Sequence, residues 1–220
     1  MIETFKSVAS LLLGYALMIM ANALFNTLLA VRMGMESFGA TVTGIVMSAY
    51  FLGLLIGARS VSRVINRVGH IRCFGLFASV ISITALVHVL WVDPLVWGSM
   101  RMVSGFCMAG MITITESWLN ARTDNRHRGQ VLSWYMITNY GAAGLGQFLL
   151  PLADPGEFVL FCVISMLFSA ALVPVMITRA SAPRPSPPVR VSIAYLYRMA
   201  PMACVGAMGA GMIRKCRSGL

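Results

Sequence analysis

The sequence predicts an all-α membrane protein: a bundle of six transmembrane helices followed by an incomplete seventh. Three observations carry that expectation. Hydrophobic residues make up 58% of the chain and charged residues only 11%, with a mean hydropathy of +0.80, far from the composition of soluble domains. The apolar runs are continuous and about 20 residues long, the length that crosses a bilayer as a helix. They do not alternate and are twice the length of a barrel strand, which excludes a β-barrel. Third, arginines collect in alternate loops, as they do when loops alternate between two faces of a membrane.

The expected spans cover residues 8–31, 38–58 and 73–91, free of charge in their interiors, then 94–118, 131–153 and 158–178. The first begins after Lys6 and contains Ala21-Asn22-Ala23, which resembles a signal-peptide cleavage site. The apolar run continues past that point to Val31, so it reads as a span and not a leader. The fourth span is the unusual one. It contains Arg101 and, toward its other end, Glu116, although an arginine deep in hydrocarbon costs about 3 kcal/mol on insertion scales. Arg101 therefore requires a function or a buried partner.

Orientation follows from the positive-inside rule. Arg59, Arg63, Arg67 and Arg72 sit in the second loop, Arg122, Arg126 and Arg128 in the fourth, and Arg179, Arg184, Arg190 and Arg198 after the sixth span. The first, third and fifth loops contain only Arg32, against Glu36, Asp93, Asp154 and Glu157. This places the N-terminus in the cytoplasm of a multi-pass membrane protein. It also accounts for the net charge of +10 without a nucleic-acid partner, because the basic residues are divided among short loops and no soluble domain presents them on one face. The expected surroundings are the lipid bilayer.

Past the sixth span the composition turns to SAPRPSPPVRVS, which cannot be helical through its prolines. Three regions result: a six-helix bundle over 1–178, a basic, proline-rich cytoplasmic linker over 179–198, and the start of a seventh span over 199–220. Its apolar, glycine-rich part stops near residue 213 at Arg214-Lys215-Cys216-Arg217, too short for a bilayer. The chain is therefore expected to be truncated, lacking a C-terminal half.

The chemistry of catalysis is missing from the sequence. The five cysteines form no C-x-x-C pair, the three histidines are dispersed, and there is no G-x-S-x-G, P-loop or H-E-x-x-H. No metal, cofactor or enzymatic activity is expected. Polar residues inside spans are the candidates for a solute cavity, since they are costly facing lipid. Asn22 and Asn26 share a face of the first helix by their spacing of four; Asn139, Tyr140 and Gln147 lie on the fifth. Interhelical hydrogen bonding is the competing reading for each. Gly53 and Gly57, and Gly141, Gly144 and Gly146, read as close-packing positions. Glu116 is expected to pair with Arg67 or Arg72.

Between the second and third spans stands Asn66-Arg67-Val68-Gly69-His70-Ile71-Arg72, and in the fourth span Arg101-x-x-x-Gly105 with Ala109-Gly110 after it. The first resembles the D-R-x-G-R-R/K loop of the major facilitator superfamily, with Asn66 in place of the acid and His70 in place of an arginine. The second resembles that superfamily's fourth-span motif. Glu116-Ser117-Trp118-Leu119-Asn120 and Arg126-His127-Arg128-Gly129-Gln130 are similar to the YcaD-like group within it. The resemblance, over about residues 8–213, implies the N-terminal half of a secondary active transporter of a small solute, with a second six-helix bundle completing the cavity. It implies a coupling role for Arg101, in proton transfer, beside Gly105. A fifth-span Gly-Pro antiporter signature is missing. The alternative expectation is a non-transporting six-helix anchor or subunit.

Overall fold

The structure, a computed structural model, describes residues 2–123 and 127–177. The linker and the seventh-span start, residues 179–220, lie outside the described residues, as does Arg126. The described residues are helical, without strands: α1 (Ile2–Met35), α2 (Ala40–Val68), α3 (His70–Leu90), α4 (Pro94–Arg122), α5 (Arg128–Phe148), a 3-10 turn (Leu150–Leu152), α6 (Val159–Ala170) and α7 (Leu172–Ile177). Five stretches are long and apolar enough to cross a membrane: Ala9–Met35, Ala40–Val68, His70–Leu90, Pro94–Arg122 and Val159–Met176. The fifth expected span is present as the 21-residue α5, less apolar because Arg128, Gln130, Asn139 and Gln147 interrupt it.

Local sequence fixes the ends. The Asp93 carboxylate accepts from the N–H groups of Leu95 at 2.9 Å and Val96 at 3.0 Å, and Pro94 follows as the first helical residue, where its missing donor costs nothing. Helix α1 stops at Ser37, which adopts φ 59°, while Phe38 N–H donates to Met33 O and Ser37 N–H to Gly34 O. That is a Schellman closure with serine in the left-handed position that glycine usually fills. Phe38 then packs on Trp97, their rings 5.4 Å apart. Between α2 and α3 the chain turns on Gly69, at φ 94° and ψ 156°, a conformation open essentially to glycine alone. The sixth span divides into α6 and α7 at Ala171, because Pro174 cannot donate to the carbonyl of Ala170 and its ring crowds that carbonyl.

The helices pack in a repeated pattern. α4 lies against α2 and α3, α1 lies against α5 and α6, and α3 meets α6. Exchanging the first three helices with the last three reproduces the same set of contacts, the arrangement of an internal 3+3 repeat. Glycines set the closest approaches. At Gly53 an added Cβ would strike the backbone of Met102, at Gly57 it would lie 2.7 Å from the Ala109 Cβ, and at Gly146 it would meet Met20 O at 2.5 Å. A Cβ added at Gly141 or Gly144 would meet nothing within 4 Å beyond its own helix backbone, so of these three the packing role belongs to Gly146 alone.

Candidate functional site

Arg101 sits seven residues into α4, about 10 Å from its start at 1.5 Å per residue, and is only 1% exposed. Its Nη2 donates to Asn26 Oδ1 on α1. Its guanidinium carbon lies 4.5 Å from the ring centroid of Tyr50 on α2 and 5.5 Å from that of Phe25 on α1, so two aromatic faces share the charge. The Tyr50 hydroxyl donates to Asn22 Oδ1 at 3.3 Å, and Asn26 Nδ2 donates to the Asn22 carbonyl at 2.8 Å. Asn22 and Asn26 thus act on one face, as their spacing requires, and that face meets α2 and α4.

The Nε and Nη1 donors of Arg101 are buried without an acceptor among the described residues. Among the described residues no carboxylate lies within ion-pair distance of it; the one ion pair found joins Arg32 to Glu36 at 2.7 Å. On the far side of Phe25 the ring of His88 stands edge-on at 5.2 Å. His88 Nδ1 is 2.6 Å from the Thr84 carbonyl, so this nitrogen carries the proton, and Nε2 has no partner. Trp97 closes this end by donating from Nε1 to the carbonyls of His88 at 3.1 Å and Trp91 at 2.8 Å.

Gly105, one turn beyond Arg101, has α2 directly over it: an added Cβ would clash with Tyr50 O and lie 2.9 Å from Leu54 N. Its place in the site is to let the helix carrying Tyr50 come close enough to cover Arg101.

Glu116 is fifteen residues past Arg101, about 22 Å along the helix, and belongs to a separate polar group. The expected ion pair with Arg67 or Arg72 does not form. The carboxylate instead accepts from the Tyr135 hydroxyl at 3.0 Å. The Tyr135 and Tyr15 hydroxyls are 2.9 Å apart, their rings stacked at 4.6 Å, and Tyr15 reaches Asn139 Oδ1 at 2.8 Å. Of the other fifth-helix candidates, Gln147 Oε1 accepts from Thr27 on α1 at 2.7 Å. Tyr140 points away and is 60% exposed, since adjacent helical residues differ by about 100° in direction. In the second-loop motif, Asn66, Arg67 and Arg72 are exposed, and His70 Nε2 approaches Ser117 Oγ on α4 at 3.3 Å. On the opposite face of the bundle Arg32 donates to the carbonyls of Pro155 and Gly156, tying the first loop to the fifth.

Tyr15, Phe25, Tyr50 and Tyr135 hold these groups together, and sequence reading did not select them. Each makes its decisive contact across helices, so no local spacing reveals it.

A sequence model of the Major Facilitator Superfamily matches residues 11–213. Among curated relatives, the uncharacterized MFS-type transporter YcaD of Escherichia coli O6:K15:H31 (strain 536 / UPEC) is 29% identical over 174 residues, covering 79% of this chain and 46% of the relative. The YcaD proteins of Escherichia coli O139:H28 (strain E24377A / ETEC) and strain SMS-3-5 match with the same identity and coverage. The chain spans about half the length of the curated relatives it matches.

Proposed function

The chain belongs to the major facilitator superfamily, and on that premise we propose that its six-helix bundle works as one half of a secondary active transporter. It moves a small solute across the bacterial inner membrane, coupled to protons, by rocking against a second six-helix bundle with the solute held between them. The N-terminus faces the cytoplasm, in keeping with eleven arginines in the even loops and the stretch after the sixth span against one in the odd loops. The chain acts as a carrier; the family premise and the lack of catalytic motifs favour this over an enzyme.

The observation that carries the reading is Arg101. A guanidinium buried among α1, α2 and α4, with two donors unmet and no carboxylate in reach among the described residues, is too costly for a structural element alone. It is held by one amide and two ring faces, contacts that can be exchanged for those of an incoming group when the helices move. The resemblance at Arg101-x-x-x-Gly105 gives the same residue a coupling role.

The test is reconstitution of the bundle with its second half in liposomes containing a pH-sensitive dye, challenged with a panel of small organic solutes. At least one solute is expected to evoke proton uptake. Arg101→Ala is expected to abolish it while membrane insertion, read by protease protection, stays intact. Normal solute-evoked uptake in that variant overturns the role of Arg101. Uptake by no solute, from a correctly inserted protein, overturns the transporter reading.

A further inference from the structure

Glu116, Tyr135, Tyr15 and Asn139 form an unbranched row of three contacts running from α4 through α5 and α1 and back to α5: 3.0 Å, 2.9 Å and 2.8 Å. Each contact needs one proton between its two heavy atoms. The two tyrosine hydroxyls supply one proton each, so the third must come from an end of the row. With Asn139 presenting Oδ1 to Tyr15, as placed here, that amide only accepts. All three contacts are then met only when Glu116 carries a proton and donates to Tyr135, Tyr135 to Tyr15, and Tyr15 to Asn139; with an ionised Glu116 accepting from Tyr135, the contact between the two hydroxyls is left without a proton. With Glu116 ionised, the carboxylate only accepts, both hydroxyls turn toward it, and the amide must rotate to offer Nδ2 to Tyr15. An amide's two ends are assigned from their hydrogen bonds, so both arrangements fit the same heavy-atom positions.

We propose that Glu116 is a proton-binding site of this bundle, and that Tyr135, Tyr15 and Asn139 form a chain whose direction of donation reverses when Glu116 gains or loses its proton. The net change is one proton added to a carboxylate oxygen from solvent. The tyrosine O–H bonds only rotate, and no bond other than the carboxyl O–H forms or breaks. Glu116 is exposed at the bundle surface six residues from the end of α4, whereas Tyr135 behind it is buried. The proton therefore arrives at an accessible group, and its charge state is read in the interior by the orientation of the Asn139 amide.

The groups facing the carboxylate are Tyr135 from α5 and, behind it, Tyr15 from α1. From α2, Arg59, Arg63 and Arg67 do not come within ion-pair distance of it, nor do His70 and Arg72 from α3; among the described residues Arg32 and Glu36 form the one ion pair. Among the described residues, the proton on Glu116 is thus answered by rotatable hydroxyls, with no cation within ion-pair distance. This deepens the proposed proton coupling and rests on it for its physiological meaning, but the chain itself can be tested without a solute.

The experiment is pH-difference infrared spectroscopy on the purified chain in lipid nanodiscs, with the proton as the probe. On acidification a protonated-carboxyl C=O band is expected to grow and tyrosine ring bands to change in the same titration. Both responses are expected to vanish in Glu116→Gln, and the carboxyl band to shift in Tyr135→Phe. Tyr15→Phe, which keeps the stacked ring, removes one hydroxyl, and the tyrosine response is expected to fall to that of Tyr135. Tyrosine bands that do not follow the carboxyl band, or that are unaltered in Tyr15→Phe, overturn the chain. Intact infrared responses in a protein that carries no solute leave the site standing and sink the transporter reading. Solute-evoked uptake in a protein whose carboxyl and tyrosine bands ignore Glu116→Gln does the reverse.

Discussion

Replacing Gly105 by alanine tests the link between helix packing and the site. The new Cβ would lie 2.9 Å from Leu54 N and from Tyr50 C, and closer still to Tyr50 O. Comfortable separations are about 3.5–4.0 Å, so α2 and α4 must part by more than half an ångström at this point. All three obstructing atoms are backbone, so no side-chain rotation can relieve the contact. Overpacking of this kind costs about 1–3 kcal/mol, against which alanine recovers up to about 1 kcal/mol of helix propensity. The expected net loss is about 1–2 kcal/mol. Gly144, in the middle of α5, where an added Cβ would meet nothing within 4 Å beyond its own helix backbone, supplies the contrast: Gly144→Ala should gain up to about 1 kcal/mol. Thermal unfolding followed by a thiol-reactive fluorophore is the assay, since Cys73 and Cys107 are free and buried and label only as the bundle opens. Gly105→Ala should melt below the parent and Gly144→Ala at or above it. If the two variants melt together, the approach of α2 to α4 does not depend on Gly105 and the reasoning fails.

Three further outcomes follow from the same structure. Arg101→Met should raise thermal stability by about 2 kcal/mol, the roughly 3 kcal/mol insertion cost of a mid-membrane arginine less about 1 for its hydrogen bond to Asn26; a lower melting temperature would show that the charge stabilises the fold. Ser37→Gly should stabilise the bundle by about 1 kcal/mol in the same assay, because the left-handed conformation at φ 59° strains serine and not glycine. For topology, cysteines introduced as Asp93→Cys and Asp154→Cys in whole cells should react with an impermeant maleimide from outside, and Arg67→Cys should not; the reverse pattern would invert the proposed orientation.

Composition and run length revealed an all-α membrane bundle, with five described stretches long and apolar enough to cross it, because the hydrocarbon acts on every residue of a span. Helix ends were less legible. The second span was expected to end near residue 58, yet α2 runs to Val68, since Arg59, Arg63 and Arg67 leave the hydrocarbon without leaving the helix and arginine is a good helix former. Apolar content marks where the membrane stops; capping marks where the helix stops, and Gly69 does so here. Asn22 and Asn26 were found by spacing. Their partner Tyr50 was not, because tyrosine within a span is unremarkable until the fold sets it over Arg101. Glu116 was assigned to a basic loop by charge, and the structure gives it the hydroxyl of Tyr135. Charge attraction is felt from many positions, whereas a hydrogen bond needs one, which only the packing of α1 and α5 creates.

The polar groups around Arg101 and Glu116 share one boundary of the bundle. α2 and α4 meet backbone to backbone at Gly53, Gly57 and Gly105, and α5 meets α1 in the same way at Gly146. Such contacts tolerate almost no sliding, because small residues hold the helices at the closest approach. Between these two locked pairs, α1 touches α2 and α4 only sparsely. This seam is crossed by Arg101 to Asn26 and by Tyr50 to Asn22, and the row from Glu116 to Tyr15 also links α4 to α1, through Tyr135. Side-chain hydrogen bonds of this kind can break and re-form over a few ångströms, which backbone close packing cannot. The buried charge of Arg101 thus lies at a boundary where side chains, and not backbone close packing, cover it. Any flexing of the bundle is therefore expected at the α1 to α4 seam, whose two ends Arg101 and Glu116 mark.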